Sequence, residues 1–244
     1  MTKPHDHGHS HKEINDFLRS LAGSAKPFTP DEKKKMADAH QPDAFLICCI
    51  DSRFQPDRAL DYGLGVALEY RPIAAAIPPE DKADDAMLGR MAFRRLKEVK
   101  NIVIVAHSDC GGAQASIQVP RPDLKNGGDI DIVAAQTHRT GLDVPKLRDE
   151  FLKAAKGDAK EAGNMLAKAT AVQSLKNILG YKGRDGYATI EDEMKAGAVN
   201  VVLLYYDLET QKAEKYDLSK GEWAPLAPVA DKKAKPPQPP KIAA

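Results

Sequence analysis

The chain changes from apolar to polar within one stretch, Phe45-Leu46-Ile47-Cys48-Cys49-Ile50-Asp51-Ser52-Arg53. Residues 44–50 are continuously apolar, which is typical of a strand that is buried on both faces of a parallel sheet. Side chains two residues apart on a strand point to the same face. We therefore expect Cys49 and Asp51 to project together from the carboxyl end of this strand, with Arg53 beside them if the chain stays extended.

A second apolar run ends in the same way. It spans residues 102–106 and leads into His107-Ser108-Asp109-Cys110-Gly111-Gly112. The spacing of three between His107 and Cys110 suits a turn that opens into a helix, so that both side chains can face one point. The positive N-terminus of such a helix stabilises a thiolate or another anion beside it.

Strand and helix patterns alternate along the chain. A second strand is predicted over 66–70, an amphipathic helix begins near Asp84, and the last core strand covers 199–206. A strand–helix–strand order predicts parallel strands joined by a right-handed crossover. We expect an α/β fold with a mainly parallel central β-sheet flanked by helices. The segment 119–144, rich in Pro, Gly, Asp and Asn, is expected to be an insertion or a long loop.

Composition limits the classes of function. The 244 residues are 42% hydrophobic and 29% charged, and the net charge is +1. These values are ordinary for a globular domain and favour neither a nucleic-acid partner nor an anionic membrane. No apolar run reaches the roughly 18–20 residues that span a bilayer, and the first residues lack the apolar core of a signal peptide. Three cysteines without a framework spacing favour a reducing compartment, so we expect a cytoplasmic protein.

The two termini differ from the rest of the chain. Residues 1–12 are rich in histidine and are expected to be disordered, either simply solvated or with a weak role in metal loading. Residues 13–224 are expected to form a single domain. Residues 225–244 consist largely of Pro, Lys and Ala, which cannot bury a core, and we expect a disordered tail.

The two strand ends carry side chains that suit a metal. Two thiolates and one imidazole, from Cys49, Cys110 and His107, form a typical zinc set that leaves the fourth position for water or a reactant. Asp51 either orients that reactant or occupies the fourth position itself, and Arg53 can clamp the Asp51 carboxylate with two hydrogen bonds. The alternative is that both cysteines are small core residues and that His107 is a buried, hydrogen-bonded histidine.

Two motifs together resemble the signature of the β-class carbonic anhydrases: Cys49-x-Asp51-x-Arg53 and His107-x-x-Cys110-Gly111-Gly112. The stretches Gly65–Arg71 and Val201–Asp207 are similar to the second strand and the late strand of that family. The resemblance implies the family's α/β fold. It also implies a zinc enzyme that reversibly hydrates carbon dioxide to bicarbonate through a zinc-bound hydroxide, as a homodimer or a higher even homo-oligomer.

The resemblance also assigns roles to single residues. Cys49, His107 and Cys110 are expected to bind zinc, with Asp51 as a further ligand if the site is closed. Asp51 and Arg53 are expected to form the catalytic dyad. A further role comes from the helix N-terminus rather than from the resemblance: its start at Gly111 and Gly112 is expected to bind the anionic substrate.

One segment departs from the family pattern. Where the family usually has Arg-Asn-Ala-Gly-Asn, this chain has Arg71-Pro72-Ile73-Ala74-Ala75. We expect the apolar loop 73–77 either to line the substrate pocket or to be buried against a partner subunit. Two other functions stay open, the first because of this departure and the second because Asp51 could close the metal site. One is hydrolysis of carbonyl sulfide or carbon disulfide on the same scaffold, and the other is a non-catalytic zinc-binding relative.

Overall fold

The computed structural model describes residues 28–37 and 41–226. The chain divides into two compact units, Met1–His40 and Gln41–Ala244. The predictions for the histidine-rich segment 1–12 and for nearly all of the tail 225–244 lie outside the described residues. The expected single domain over 13–224 extends across both units and stays a prediction.

The described part of the first unit is one short helix, Pro30–Ala37 (α1). Thr29 precedes it and exchanges hydrogen bonds with Glu32: the Glu32 N–H donates to the Thr29 hydroxyl at 3.3 Å, and the Thr29 N–H donates to the Glu32 carboxylate at 2.8 Å. This reciprocal cap satisfies two N–H groups that the first turn of a helix leaves without partners.

The second unit is built on one mixed sheet. Its strands are Ala44–Cys48 (β1), Ala67–Tyr70 (β2), Asn101–His107 (β3), Asn200–Tyr206 (β4), Ala213–Asp217 (β5) and Glu222–Pro225 (β6). In the described residues the strand order is β2-β1-β3-β4-β5-β6. The first four strands are mutually parallel, and β5 and β6 add to one edge as an antiparallel hairpin. The prediction of a mainly parallel sheet is confirmed.

Helices flank this sheet. They are Pro56–Leu60 (α2), Asp85–Leu96 (α3), Gly111–Gln118 (α4), Asp129–His138 (α5), Val144–Ala154 (α6), Ala159–Leu179 (α7) and Ile190–Lys195 (α8). Short 3₁₀ turns at Ile73–Ala75 and Glu80–Lys82 follow β2. Among the described helices, none is both long enough and apolar enough to cross a membrane.

The prediction of a long loop over 119–144 is wrong, because the segment contains α5. The Gly128 N–H donates to the Asp131 carboxylate at 3.0 Å and caps the start of this helix. The helix then buries Ala134, Ala135 and Thr137. Buried hydroxyl groups join it to α4, since the Ser116 Oγ lies 2.6 Å from the Thr137 Oγ1. The apolar face of α5 is short and turn-forming residues precede it, so the sequence pattern did not predict a helix here.

The core lies on both faces of the sheet. The side chains of Phe45 and Ile47 belong to the larger cluster, which includes much of α7. The alternate residues Leu46 and Cys48 belong to a smaller cluster with Phe54 on the other face. Burial on both sides explains why the strands are continuously apolar rather than alternating. It also raises the pKa of the Cys48 thiol to about 12, so this cysteine stays neutral.

A buried ion pair joins two of the flanking helices. Arg94 of α3 donates to the Glu193 carboxylate of α8 at 3.2 Å, and both side chains are almost fully buried. Glu193 also accepts a hydrogen bond from the Arg184 backbone N–H. Removing one partner from such a pair leaves an uncompensated buried charge, which costs far more than breaking a pair on the surface.

We predict that Glu193→Ala lowers the free energy of unfolding by about 3–5 kcal/mol, because Arg94 is left charged in the core. The matched control is Glu191→Ala on the same helix, which breaks an exposed pair with Lys195 and is expected to cost about 0.5 kcal/mol or less. Chemical denaturation of both variants measures the difference. Equal losses would contradict the prediction.

Candidate metal centre

The turn after β1 is fixed by Arg71, the residue that directly follows β2. Arg71 donates to three backbone carbonyl oxygens: those of Cys49 at 3.1 Å, Asp51 at 2.9 Å and Phe54 at 2.8 Å. A planar guanidinium suits this role because its donors have fixed directions. The turn that carries Cys49 and Asp51 therefore has a defined shape.

The turn after β3 is anchored to β4. The Ser108 N–H donates to the Tyr206 carbonyl at 3.0 Å, and the Ser108 hydroxyl accepts a hydrogen bond from the Leu208 N–H at 2.8 Å. Asp109 then adopts a left-handed backbone with a φ of 54°. This reversal turns the chain so that Cys110 occupies the N-cap position of α4.

Three of the predicted residues converge between these two turns. The potential ligand atoms of Cys49, His107 and Cys110 all lie within 4.8 Å of one another, and all three residues are buried. The two Sγ atoms are 3.9 Å apart. Two sulfurs bound at 2.3 Å to a tetrahedral zinc ion would be about 3.8 Å apart. The spacing of the thiols therefore fits a shared metal ion.

The imidazole of His107 is also oriented so that it could bind a metal ion at the two thiols. Its Nδ1 donates to the Ser108 carbonyl at 2.8 Å, which fixes the tautomer. Its Nε2 is buried and has no hydrogen-bond partner among the described residues. The ring stacks on Phe54 with an interplanar angle of 3°. A buried nitrogen without a partner is costly, and a metal ion at the thiols would give it one.

The pKa values of the two thiols are shifted in opposite directions. The hydrogen bond from the Cys110 thiol is the main cause that lowers the pKa of Cys49 to about 4, and the nearby His107 ring and the Asp51 backbone N–H act in the same direction. The same hydrogen bond and burial raise the pKa of Cys110. Burial lowers the pKa of His107, but the neighbouring Cys49 thiolate outweighs it and the net pKa is raised. The group thus favours a thiolate, which is the form that binds metals.

The carboxylate of Asp51 is held by Arg53. Arg53 donates from Nε to one carboxylate oxygen at 3.0 Å and from Nη2 to the other at 2.8 Å. These hydrogen bonds lower the pKa of Asp51, so it is ionised at neutral pH. Within the described residues, the metal-capable group contains Cys49, His107 and Cys110 but not Asp51. The role of Asp51 as a fourth ligand stays a prediction.

The loop 73–77 packs against the metal group from a third side. The Ala74 N–H donates to the Cys49 Sγ at 3.3 Å. To reach it, Ala74 and Ala75 both adopt positive φ angles, 59° and 50°, a conformation that costs alanine about 1–2 kcal/mol per residue. Strain of this kind persists only where the surroundings enforce it.

The same loop divides into a buried part and a part that lines a cavity. Residues 74–77 are buried in the core of this chain, and the Ile77 N–H donates to the Ser174 hydroxyl at 3.0 Å. Ile73 is less buried, and together with Ala76 it lines a cavity of about 320 Å³. Other residues that line this cavity are Ile50, Tyr70, Arg71, Gln136 and Arg139. The expectation of burial against a partner subunit is therefore not needed to explain the apolar character of 74–77.

Sequence reasoning missed three contributors to this region. Asp109 binds Arg53, Asn164 binds the Asp109 backbone, and Ala74 donates to Cys49. Asp109 stands between two predicted ligands, and this position was the only available signal. Asn164 comes from a distant helix, and the contribution of Ala74 is made by its backbone, so no side-chain pattern marks either one.

The fold and the site define an α/β protein with a Cys-His-Cys group that could hold a metal ion at the carboxyl edge of its parallel strands. A family model described as carbonic anhydrase matches residues 44–213. This range contains every predicted site residue. The chain belongs to the carbonic anhydrase family, in its β class.

Curated relatives agree in sequence. Beta carbonic anhydrase 5, chloroplastic, of Arabidopsis thaliana is 27% identical over 186 residues, which cover 75% of this chain and 57% of the relative. A carbonic anhydrase of Emericella nidulans is 27% identical over 170 residues, covering 70% of this chain and 69% of the relative. The chain thus spans little more than half the length of the first relative.

Solved structures agree in fold. The β-carbonic anhydrase CcaA has a TM-score of 0.69 at 17% identity, covering 89% of this chain and 92% of that chain. The β-carbonic anhydrase CafA of Aspergillus fumigatus has a TM-score of 0.59 at 22% identity, covering 84% of this chain and 88% of that chain. At these identities the likeness establishes the shared architecture.

We predict that Gly112→Ala destabilises the protein by about 1–3 kcal/mol through overpacking. A Cβ on Gly112 would lie 2.6 Å from the Ile73 Cγ2 and 3.0 Å from the Ala74 Cβ. Gly111→Ala is the control, because a Cβ there meets nothing within 4 Å. Denaturant unfolding of the two variants is the measurement. A Gly112→Ala protein as stable as Gly111→Ala would show that the contact is not limiting.

We also predict that only two of the three cysteines support metal binding. In Cys49→Ala and Cys110→Ala, bound Zn²⁺ should fall from about one ion per chain to near zero, because each loses a thiolate ligand. Cys48→Ala is the matched control, since Cys48 faces the opposite core cluster and should keep its metal. Metal analysis after dialysis measures the content. Loss of zinc from Cys48→Ala equal to that from Cys49→Ala would contradict the assignment.

Proposed function

We propose that the protein is a zinc-dependent carbonic anhydrase that reversibly hydrates carbon dioxide to bicarbonate. The observation that carries this proposal is the convergence of two thiols and an unpartnered, buried imidazole nitrogen within 4.8 Å. Family membership supports the same reaction. The resemblance of the two motifs alone would be weaker support, because a motif does not define geometry.

Zinc is the metal that this donor set suits best. Thiolates and a neutral imidazole are its usual protein ligands, and three of them leave one position open. Cys49, His107 and Cys110 would hold the ion. When bound, zinc supplies a Lewis acid that makes water a nucleophile near neutral pH. A soft donor set of this kind disfavours magnesium and calcium, which prefer oxygen ligands.

Asp51 is proposed to orient the reacting water. Both of its oxygens accept hydrogen bonds from Arg53, and its lowered pKa keeps it ionised as an acceptor. An oriented acceptor of this kind aligns a nucleophile and receives its hydrogen bond. Arg53 is proposed to fix that orientation. In a non-catalytic relative, Asp51 would instead hold the fourth metal position, and the Arg53 clamp disfavours that arrangement.

The start of α4 is proposed to favour the anionic product. Backbone N–H groups of Gly112 and Ala113 partly offset the rise in the pKa of Cys110 that Cys49 and burial cause, so the positive end of the helix acts on this site. Bicarbonate at the site would lie in the same field. Gly111 and Gly112 are therefore proposed to assist binding of the substrate anion.

Assembly and location are further proposals. We propose a homodimer or a higher even homo-oligomer of this chain in the cytoplasm. A solved relative from Sordaria macrospora is described as tetrameric. Ile50 is 62% exposed beside the site, and β2 lies at an edge of the sheet, so both are available for a partner subunit. The three cysteines are free thiols, which supports a reducing compartment.

We predict that the zinc-loaded protein hydrates carbon dioxide above the buffer rate in a stopped-flow assay at pH 8.5. Asp51→Asn should keep its zinc but lose at least about tenfold in kcat, because a neutral amide is a poor acceptor for the reacting water. Cys48→Ala, which lies outside the site, should match the native rate. These rates are measured with metal content determined on the same samples.

Two outcomes of this experiment would overturn the proposal. A protein that binds one zinc ion but gives no rate above buffer would be a non-catalytic relative. Faster turnover of carbonyl sulfide or carbon disulfide, measured as released sulfide, would assign the site to hydrolysis. The apolar side chain of Ile73 on the neighbouring cavity is the observation that keeps this second function open, because carbonyl sulfide and carbon disulfide are larger and more polarisable than carbon dioxide.

A further inference from the structure

Arg53 contacts a second carboxylate besides that of Asp51. Its Nη1 donates to the Asp109 carboxylate at 2.7 Å, and its Nη2 donates to the Asp109 carbonyl at 2.7 Å. With the two hydrogen bonds to Asp51, four contacts to carboxylate and carbonyl oxygens hold one guanidinium. The Arg53 side chain therefore bridges the turn after β1 and the turn after β3.

Because Arg53 is exposed, holding its side chain in one position requires both of its partners, Asp51 and Asp109. Its side chain is 52% accessible to solvent, and an isolated exposed ion pair is weak and samples other geometries. Asp51 alone would hold Arg53 poorly for that reason. A second anchor reduces the rotamer freedom of the arginine before any substrate binds, which is the condition for a preorganised site.

Asp109 is itself held in place. Its backbone N–H donates to the Asn164 Oδ1 of α7 at 2.7 Å, and its left-handed φ of 54° is tolerated better by Asp and Asn than by most residues. Asp109 lies between the candidate ligands His107 and Cys110 in sequence. The position of its carboxylate is thus tied to that of the metal group.

We propose that Asp109 is a positioning residue that holds Arg53, so that Arg53 can hold the Asp51 carboxylate in its working orientation. This inference rests on the proposed function for its kinetic consequence, but the contact with Arg53 does not depend on any activity. Asp109 acts through Arg53 and is not proposed to touch the substrate.

A second cavity, different from the one that Ile73 lines, contains a residue that serves as the matched control. Arg53 and Asp109 line a cavity of about 320 Å³ together with Lys160, Asn164, Asp207 and Glu209. Glu209 carries the same charge on the same cavity, and among the described residues Arg53 donates no hydrogen bond to the Glu209 side chain. Glu209→Gln therefore removes one negative charge there without removing a contact to the arginine.

Two variants test the proposal without straining the backbone. Asp109→Gly removes the carboxylate and permits a positive φ, and Asp109→Asn keeps an oxygen acceptor in a residue that also tolerates it. We expect kcat for carbon dioxide hydration to fall about tenfold in Asp109→Gly, in the range found for residues that orient a metal site. KM should change by less than about twofold, since substrate contacts are kept. Asp109→Asn should recover most of kcat, and Glu209→Gln should match the native enzyme.

A second readout does not require activity. Arginine-specific dicarbonyl reagents modify a guanidinium more readily when its hydrogen-bond partners are removed. Modification of Arg53, followed by mass spectrometry of the zinc-loaded protein, should be several-fold faster in Asp109→Gly than in the native chain or in Glu209→Gln. Zinc content should be unchanged in all variants.

The outcomes separate this inference from the proposed function. The native protein could fail to hydrate carbon dioxide while Arg53 is modified faster in Asp109→Gly but not in Glu209→Gln. In that case the proposed function fails and the positioning contact stands. If Asp109→Gly leaves both kcat and Arg53 reactivity at native values, the inference is overturned. Loss of zinc from Asp109→Gly would also overturn it, because Asp109 would then support the metal ligands rather than Arg53.

Discussion

The parallel pairing of β1 with β3 is the constraint on which the rest of the structure depends. The register sets Cys48 opposite Val105, so both strands end at the same edge of the sheet within two residues. Cys49 and His107 are then neighbours although 58 positions separate them in sequence. A shift of this register by one residue would turn every side chain to the opposite face. Cys49 would then enter the smaller core cluster, and the three metal-capable atoms would not meet.

Burial makes this convergence electrostatically demanding. Thiolates are costly in an apolar core unless positive charge or hydrogen-bond donors compensate them. The compensation for the Cys49 thiolate comes mainly from the Cys110 thiol, which lowers the pKa of Cys49, and the Ala74 N–H also donates to the Cys49 Sγ. The charged side chains, Asp51 and Arg53, stay at the more exposed rim. The site therefore combines a buried metal-binding interior with a polar edge open to solvent, an arrangement that suits a reaction of a small molecule with water.

Much of this arrangement could be predicted from the sequence. Continuous apolar runs indicated parallel strands, and the residues that follow them indicated the edge where Cys49, His107 and Cys110 meet. The helix α5 could not be predicted, because its apolar face is short and turn-forming residues precede it. The contacts of Asp109 with Arg53 and Asn164 could not be predicted either. They depend on a left-handed residue and on a helix 55 positions away in sequence, and neither leaves a periodic pattern.

The altered segment Arg71-Pro72-Ile73-Ala74-Ala75 can be understood in the same physical terms. Arg71, which the family pattern shares, fixes the turn after β1 with its side chain. The residues that follow it contribute through the Ala74 N–H and through the close approach of Ile73 and Ala74 to Gly112. A backbone donor tolerates a change of side chain as long as the φ angles are kept. Two alanines keep them at a cost in strain of about 1–2 kcal/mol each. The side chains that differ from the family pattern lie beside the metal group rather than in it. The substitutions therefore alter the wall of the neighbouring cavity, which Ile73 makes apolar, and preserve the conditions for holding the metal.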